Sequence, residues 1–263
     1  MALLPILGCS EPPAPEHAAG EGKPVAAARE VPPRAVKQSI SPEAGAVLRK
    51  MSDYLASLKS FSVVADSSIE AVLKTGQKET FKATSALSVR RPDKLRSERK
   101  GDVADLMFVY DGKTVTLLGK KQNMYAQADA PATIDEMIDF ARDRLGVEAP
   151  GADLLMSDPY SVLTEGIQSG SVVGQETIAG VPTTHIAFRG ETVDWQLWVK
   201  NGDEPLPMKY VITTKDVKGN PEFTVLLRDW NVSATLLDDR FAFTPPAGAQ
   251  KIEFMKRGEP AKK

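Results

Sequence analysis

The chain has 263 residues, with 33 Lys+Arg against 35 Asp+Glu, 42% hydrophobic residues, one Cys and two His, a composition that suits one or two folded domains. A formal charge of −2 and a pI near 5.9 give no field for a phosphate backbone, and no basic run supplies a local one, so nucleic acid is not an expected partner. Cys9, His17 and His185 are too few for a Cys-rich zinc site, a disulfide framework or an iron–sulfur cluster, and neither a metal nor a cofactor is expected.

The longest apolar run, Ala2 to Gly8, is far short of the roughly 20 residues of a membrane-spanning helix. It leads into Ile6-Leu7-Gly8-Cys9, a lipobox-like sequence: two aliphatic residues, a small residue at the bond to be cleaved, and a thiol to carry a diacylglyceryl group. Residues 1–8 therefore read as a shortened lipoprotein signal segment and Cys9 as the lipidation site, although no positive n-region precedes it. Ser10 after Cys9 fits sorting to the outer membrane. Ser10 to Pro42 holds seven of the 19 prolines and no apolar periodicity, so residues 9–41 read as an extended Pro/Ala-rich tether.

The folded part is expected over residues 42–255, followed by a polar tail at 256–263. Ser41-Pro42 is an N-cap followed by Pro at the first helical position, and Ala44, Val47, Leu48, Met51, Leu55 and Leu58 recur at helical spacing to about Ser60. The period then switches to two from Phe61 to Leu73 and again from Phe81 to Val89, with a turn at Lys74-Thr75-Gly76-Gln77. Shorter strands are expected at Lys94 to Arg99, Leu106 to Tyr110, Thr114 to Leu118 and Met124 to Gln127. A helix follows, opened by the capping box Thr133…Glu136, striped by Ile134, Met137, Ile138, Ala141 and Leu145, and closed by Gly146. Short helices at Asp153 to Met156 and Pro159 to Leu163 precede strands at Ser171 to Ile178, Thr183 to Arg189, Val193 to Lys200, Met208 to Lys215 and Glu222 to Trp230. A last edge falls at Lys251 to Phe254. Turn residues at Ala179-Gly180, Arg189-Gly190, Asn201-Gly202-Asp203 and Lys218-Gly219-Asn220 imply an antiparallel meander. The order is that of an α+β domain.

Catalytic signals are weak. No nucleophile elbow, P-loop or dinucleotide fingerprint occurs, and Gly170-Ser171-Val172-Val173-Gly174 lacks a P-loop's Lys-Ser/Thr ending. His185 lies opposite Ile186 and Phe188 on its strand and reads as a solvent-side residue, while Asp238-Asp239 reads as loop solvation. No catalytic residue is assigned.

Arg90-Arg91-Pro92-Asp93-Lys94-Leu95-Arg96, Tyr110-Asp111-Gly112-Lys113-Thr114, Asp194-Trp195-Gln196-Leu197-Trp198 and Leu206-Pro207-Met208-Lys209 resemble a family of bacterial periplasmic proteins of unknown function. That family is similar to a branch of the lipoprotein-carrier superfamily containing LolA and LppX. The resemblance implies a curved antiparallel half-barrel with helices covering its concave face and a cavity for acyl chains. Strand parity then nominates Ile186 and Phe188, Trp195 and Leu197, Tyr210 and Ile212, and Phe223 and Val225 as ligand-contacting residues, with Ile134, Met137 and Ile138 from the helix. Trp195 is expected inward and Trp198 on the outer face. The function implied is a non-enzymatic, membrane-anchored periplasmic lipoprotein that binds a lipid or acylated ligand as carrier, chaperone or sensor. The alternative is an envelope-stress or protein-interaction module on the same fold, with an enzyme of unassigned reaction third.

Overall fold

The computed structural model describes residues 39–254; Cys9, His17, most of the tether and the polar tail lie outside them. Helix α1, Pro42–Ser57, starts where Ser41 Oγ accepts the Ala44 N–H at 3.2 Å and Pro42 takes a first-turn position. It buries Ala44, Leu48, Met51 and Leu55 against the sheet core, so truncating Leu48 to Ala would cost about 2–5 kcal/mol. The helix stops at Ser57 rather than about Ser60, because Ser60 already pairs with Arg90 as the first residue of a strand.

Strands β1 (Ser60–Val72) and β2 (Lys78–Arg90) form a long hairpin, followed by β3 (Lys94–Gly101), β4 (Leu106–Tyr110), β5 (Thr114–Gly119) and β6 (Met124–Asp129). Helix α2 spans Ile134–Leu145; Thr133 Oγ1 accepts the Glu136 N–H at 3.2 Å, and Gly146 ends it at φ 64°, where Val147 N–H returns to Ala141 O. A 3-10 turn at Ala152–Leu155 and helix α3, Pro159–Thr164, complete the interlude. Then come β7 (Ile167–Ile178), β8 (Val181–Gly190), β9 (Val193–Lys200), β10 (Pro207–Thr214), β11 (Glu222–Asn231) and β12 (Gln250–Ile252).

Among the described residues, all twelve strands form one open sheet in the order β12-β6-β5-β4-β3-β2-β1-β11-β10-β9-β8-β7. The two meanders join through β1 and β11, a long-range pairing that no turn signal announces. The expected antiparallel, helix-covered sheet is therefore present, as a curved open sheet and not a closed barrel. Among these strands the antiparallel rule fails once: β12 runs parallel to β6, because a 3-10 turn at Asp238–Phe241 and the segment after it carry the chain back before it pairs. Strand β7 also begins four residues before its expected start, with Gly170 inside the ladder opposite Phe188.

Candidate functional site

Register gathers eight of the nominated residues into two adjacent cross-strand rows on one face. One row runs Val225–Tyr210–Leu197–Ile186 across β11, β10, β9 and β8; the next runs Phe223–Ile212–Trp195–Phe188. Continued across β1 and β2, the second row reaches Ile69 and Phe81. Trp195 stacks on Phe188 at 4.1 Å and 9° and meets Tyr210 edge-on at 6.1 Å and 82°. Ile134 and Met137 are buried and Ile138 half-buried in the same core cluster.

Burial along the second row is graded. Phe188 and Trp195 are sealed, Ile212, Phe223 and Phe81 are half-buried, and Ile69 is 40% exposed, as is Leu73 four residues on, just past the end of β1. Cover by the interlude ends near the middle of the row. A Cβ on Gly151, at φ 83°, would sit 3.6 Å from Tyr210 and 3.7 Å from Phe223, so this backbone lies directly on the two rings. Beside it, burial pushes the Asp153 carboxyl up despite the nearby Arg142, and burial together with Asp153 pushes the Tyr210 phenol up.

Two surface depressions lie elsewhere. One of 390 Å³ is lined by Val181, Lys200, Leu206, Met208 and Trp230 among others, and one of 490 Å³ by Asp66, Lys82, Thr84, Lys100, Asp102 and Leu226. No nominated ligand-contacting residue lines either.

Arg91, quoted above only within the Arg90–Arg96 motif, has a tertiary role. Its Nη1 donates to Leu155 O at 2.7 Å, tying the interlude to the β2–β3 turn, while Nε and Nη2 are buried without a protein partner among the described residues. Burial pulls its pKa down and Asp135 opposes the shift. The Arg-Pro-Asp string carries no periodic signal from which this contact could be read.

The opposite face corrects two expectations. Trp195 and Trp198 do face opposite sides, yet Trp198 is only 5% exposed and His185 only 6%. Their rings stack at 3.9 Å and 13°; Lys209 Nζ lies 4.2 Å from the Trp198 ring, and Trp198 Nε1 donates to Glu176 at 2.9 Å. His185 Nδ1 lies 2.8 Å from Glu176 and Nε2 lies 3.0 Å from Gln196. The Trp198 and His185 contacts hold the Glu176 carboxyl below its usual range. Aromatic stacking and mutual hydrogen bonding, not a second core, bury this outer cluster. Parity alone assigned the face correctly and the burial wrongly. Asp238 is exposed, as expected for loop solvation, but pairs with Arg90. Among the described residues no group of three or more His, Cys, Asp or Glu is placed to hold a metal ion.

An uncharacterized conserved protein from Thermus thermophilus superposes with a TM-score of 0.48 at 10% identity, over 80% of this chain and 99% of that one. The Mycobacterium tuberculosis lipoprotein LppX superposes at 0.43 with 13% identity, over 74% and 98%. A LolA superfamily protein from Nitrosomonas europaea does so at 0.39 with 10% identity, over 76% and 97%. No curated protein matches the chain. The resemblance to a periplasmic family drawn from the strand and turn motifs is upheld: a family model matches residues 44–255, and the chain belongs to the family described as "Predicted periplasmic protein (DUF2092)".

Proposed function

We propose that this periplasmic domain binds a lipid or other acylated ligand along the two apolar rows, as a non-enzymatic carrier anchored to the outer membrane through Cys9. The observation that carries the reading is the graded row: aromatic and aliphatic side chains continue from the sealed Phe188–Trp195 stack to Ile212, Phe223 and Ile69, where the helical cover ends. An acyl chain laid on the half-buried end would extend the core, and ten methylenes would supply up to about 8 kcal/mol before ordering costs. Deeper seating requires the 146–158 connection to lift from Tyr210 and Phe223.

The test uses delipidated protein with Trp198 and Trp230 replaced by Phe, titrated with palmitate while Trp195 emission is followed. A saturable change is expected, and Phe223→Asp should weaken it at least about tenfold, because an unpaired charge would face the acyl carbons. Absence of a saturable change in folded protein removes the reading. A stoichiometric protein recovered with the native chain in place of lipid would favour the interaction module. Cys9→Ser should move the protein from the membrane fraction to the soluble one.

A further inference from the structure

We propose that the sheet rim carrying the β1–β2, β3–β4, β5–β6 and β10–β11 tips is a docking surface for an anionic lipid bilayer. The antiparallel ladder puts these tips at one end of the sheet, and contacts knit them together. Lys78 Nζ donates to Asn220 O at 3.2 Å, Lys82 N to Asp102 at 2.8 Å, and Lys120 N to Asp105 O at 2.9 Å. Each tip exposes one large apolar side chain: Leu73 (40%), Val103 (64%), Met124 (37%) and Val217 (43%). On the turns at the opposite end, Leu237 is the large apolar residue that is exposed.

Lysines flank these apolar tips. Residues 73–78, 100–105, 119–124 and 215–221 hold seven lysines and three aspartates, with Glu79 and Glu222 at the next positions and Glu191 in the neighbouring β8–β9 turn. Asp102 and Asp105 are engaged by backbone N–H groups, Asp105 also by Lys121, while Lys78 pairs with Glu70, Lys120 with Glu98 and Lys215 with Asp194. Among the described residues none pairs with the ammonium groups of Lys74, Lys100 or Lys218. Apolar tips flanked by lysines match the interfacial layer of an anionic bilayer, where side chains enter the acyl boundary and ammonium groups meet phosphates.

The described start of the chain lies at the same end of the sheet. Ile40 bridges Gly170 in parallel, with Ser41 N–H donating to Gly170 O at 2.8 Å. The first turn of β7 lies at the rim, since Ile167 pairs with Gly190 and Lys215 N–H donates to Thr192 O across the neighbouring β8–β9 turn. The backbone at Ser39 therefore comes from the rim side.

The experiment uses the full chain with Cys9→Ser, so that no lipid is attached and no native thiol remains. Sedimentation with vesicles of phosphatidylcholine plus phosphatidylglycerol should recover it, vesicles of phosphatidylcholine alone should not, and salt should weaken recovery. Lys74→Glu with Lys218→Glu, or Val103→Asp with Val217→Asp, should lower binding at least about fivefold, whereas Leu237→Asp should not. A polarity-sensitive dye on Val103→Cys or Val217→Cys should shift to the blue on anionic vesicles, with no shift from Leu237→Cys. Equal recovery on both vesicle types, no recovery, or an equal dye response at 237 overturns the proposal. Docking requires no bound acyl ligand, so its failure leaves the palmitate titration standing, and the reverse also holds.

Discussion

Phe188 fills the space in which Gly170 would carry a side chain: two of its ring carbons lie 2.5 Å from where a Cβ would be. The two residues are cross-strand partners on β7 and β8, and the ring is pinned on its other side by Trp195. A glycine is needed here for close approach, not for an unusual backbone angle.

Gly170→Ala should consequently displace Phe188 from the stack and destabilise the domain by about 1–3 kcal/mol. Chemical denaturation measures this, and near-ultraviolet circular dichroism should report loss of the coupled Phe188–Trp195–Tyr210 environment. Wild-type stability with an unchanged spectrum would show that the strands can separate without cost.

How much of this was legible in the sequence depends on the range over which each determinant acts. The helix caps at Ser41 and Thr133 are local chemistry, readable from a few neighbouring residues, and they appear where expected. Strand parity paired Ile186 with Phe188, Trp195 with Leu197, Tyr210 with Ile212 and Phe223 with Val225, each pair on one face of its own strand, and the register brings the four pairs to one face of the sheet. It could not show that the β1–β11 pairing extends their row to Ile69, because nothing local encodes contact between residues 69 and 223. The parallel return of β12 and the Arg91–Leu155 contact escaped for the same reason. The outer cluster was hidden differently: His185, Gln196 and Trp198 look solvent-facing by alternation, and only Glu176 and Lys209 arriving from adjacent strands close over them.

His185→Ala tests whether that outer cluster is structural. Removing the ring uncovers Trp198 and takes a partner from both Glu176 and Gln196, which should lower stability by about 1–3 kcal/mol. Palmitate binding on the opposite face should stay within about twofold of wild type, a difference of less than about 1 kcal/mol. Loss of binding without loss of stability would move the ligand site to the outer face.

Asp153 provides the last prediction, because it is the acidic group of the cover whose carboxyl burial pushes upward, against the partial pull of Arg142. A folded-state pKa above the unfolded value means that the folded protein prefers the protonated carboxyl. The associated stability is fully present below the unfolded value, about 3.9, and is lost as pH rises through the folded pKa. Asp153→Asn keeps the shape and removes the charge. Its thermal midpoint should exceed that of wild type at pH 7, and the two should converge near pH 3, below the unfolded value. The difference between the two proteins is the quantity to follow, since Asp66 and Glu70 are lowered mainly by hydrogen bonds from Arg228 and Lys78 and make both proteins less stable in acid. A midpoint advantage that persists unchanged at pH 3 would assign the effect to packing, and a lower midpoint at pH 7 would mean that the ionised carboxylate is held by partners that outweigh its burial. With the charge gone, the cover should also sit more firmly on Tyr210 and Phe223, so palmitate should associate more slowly with Asp153→Asn than with wild type at pH 7 and at the same rate near pH 3.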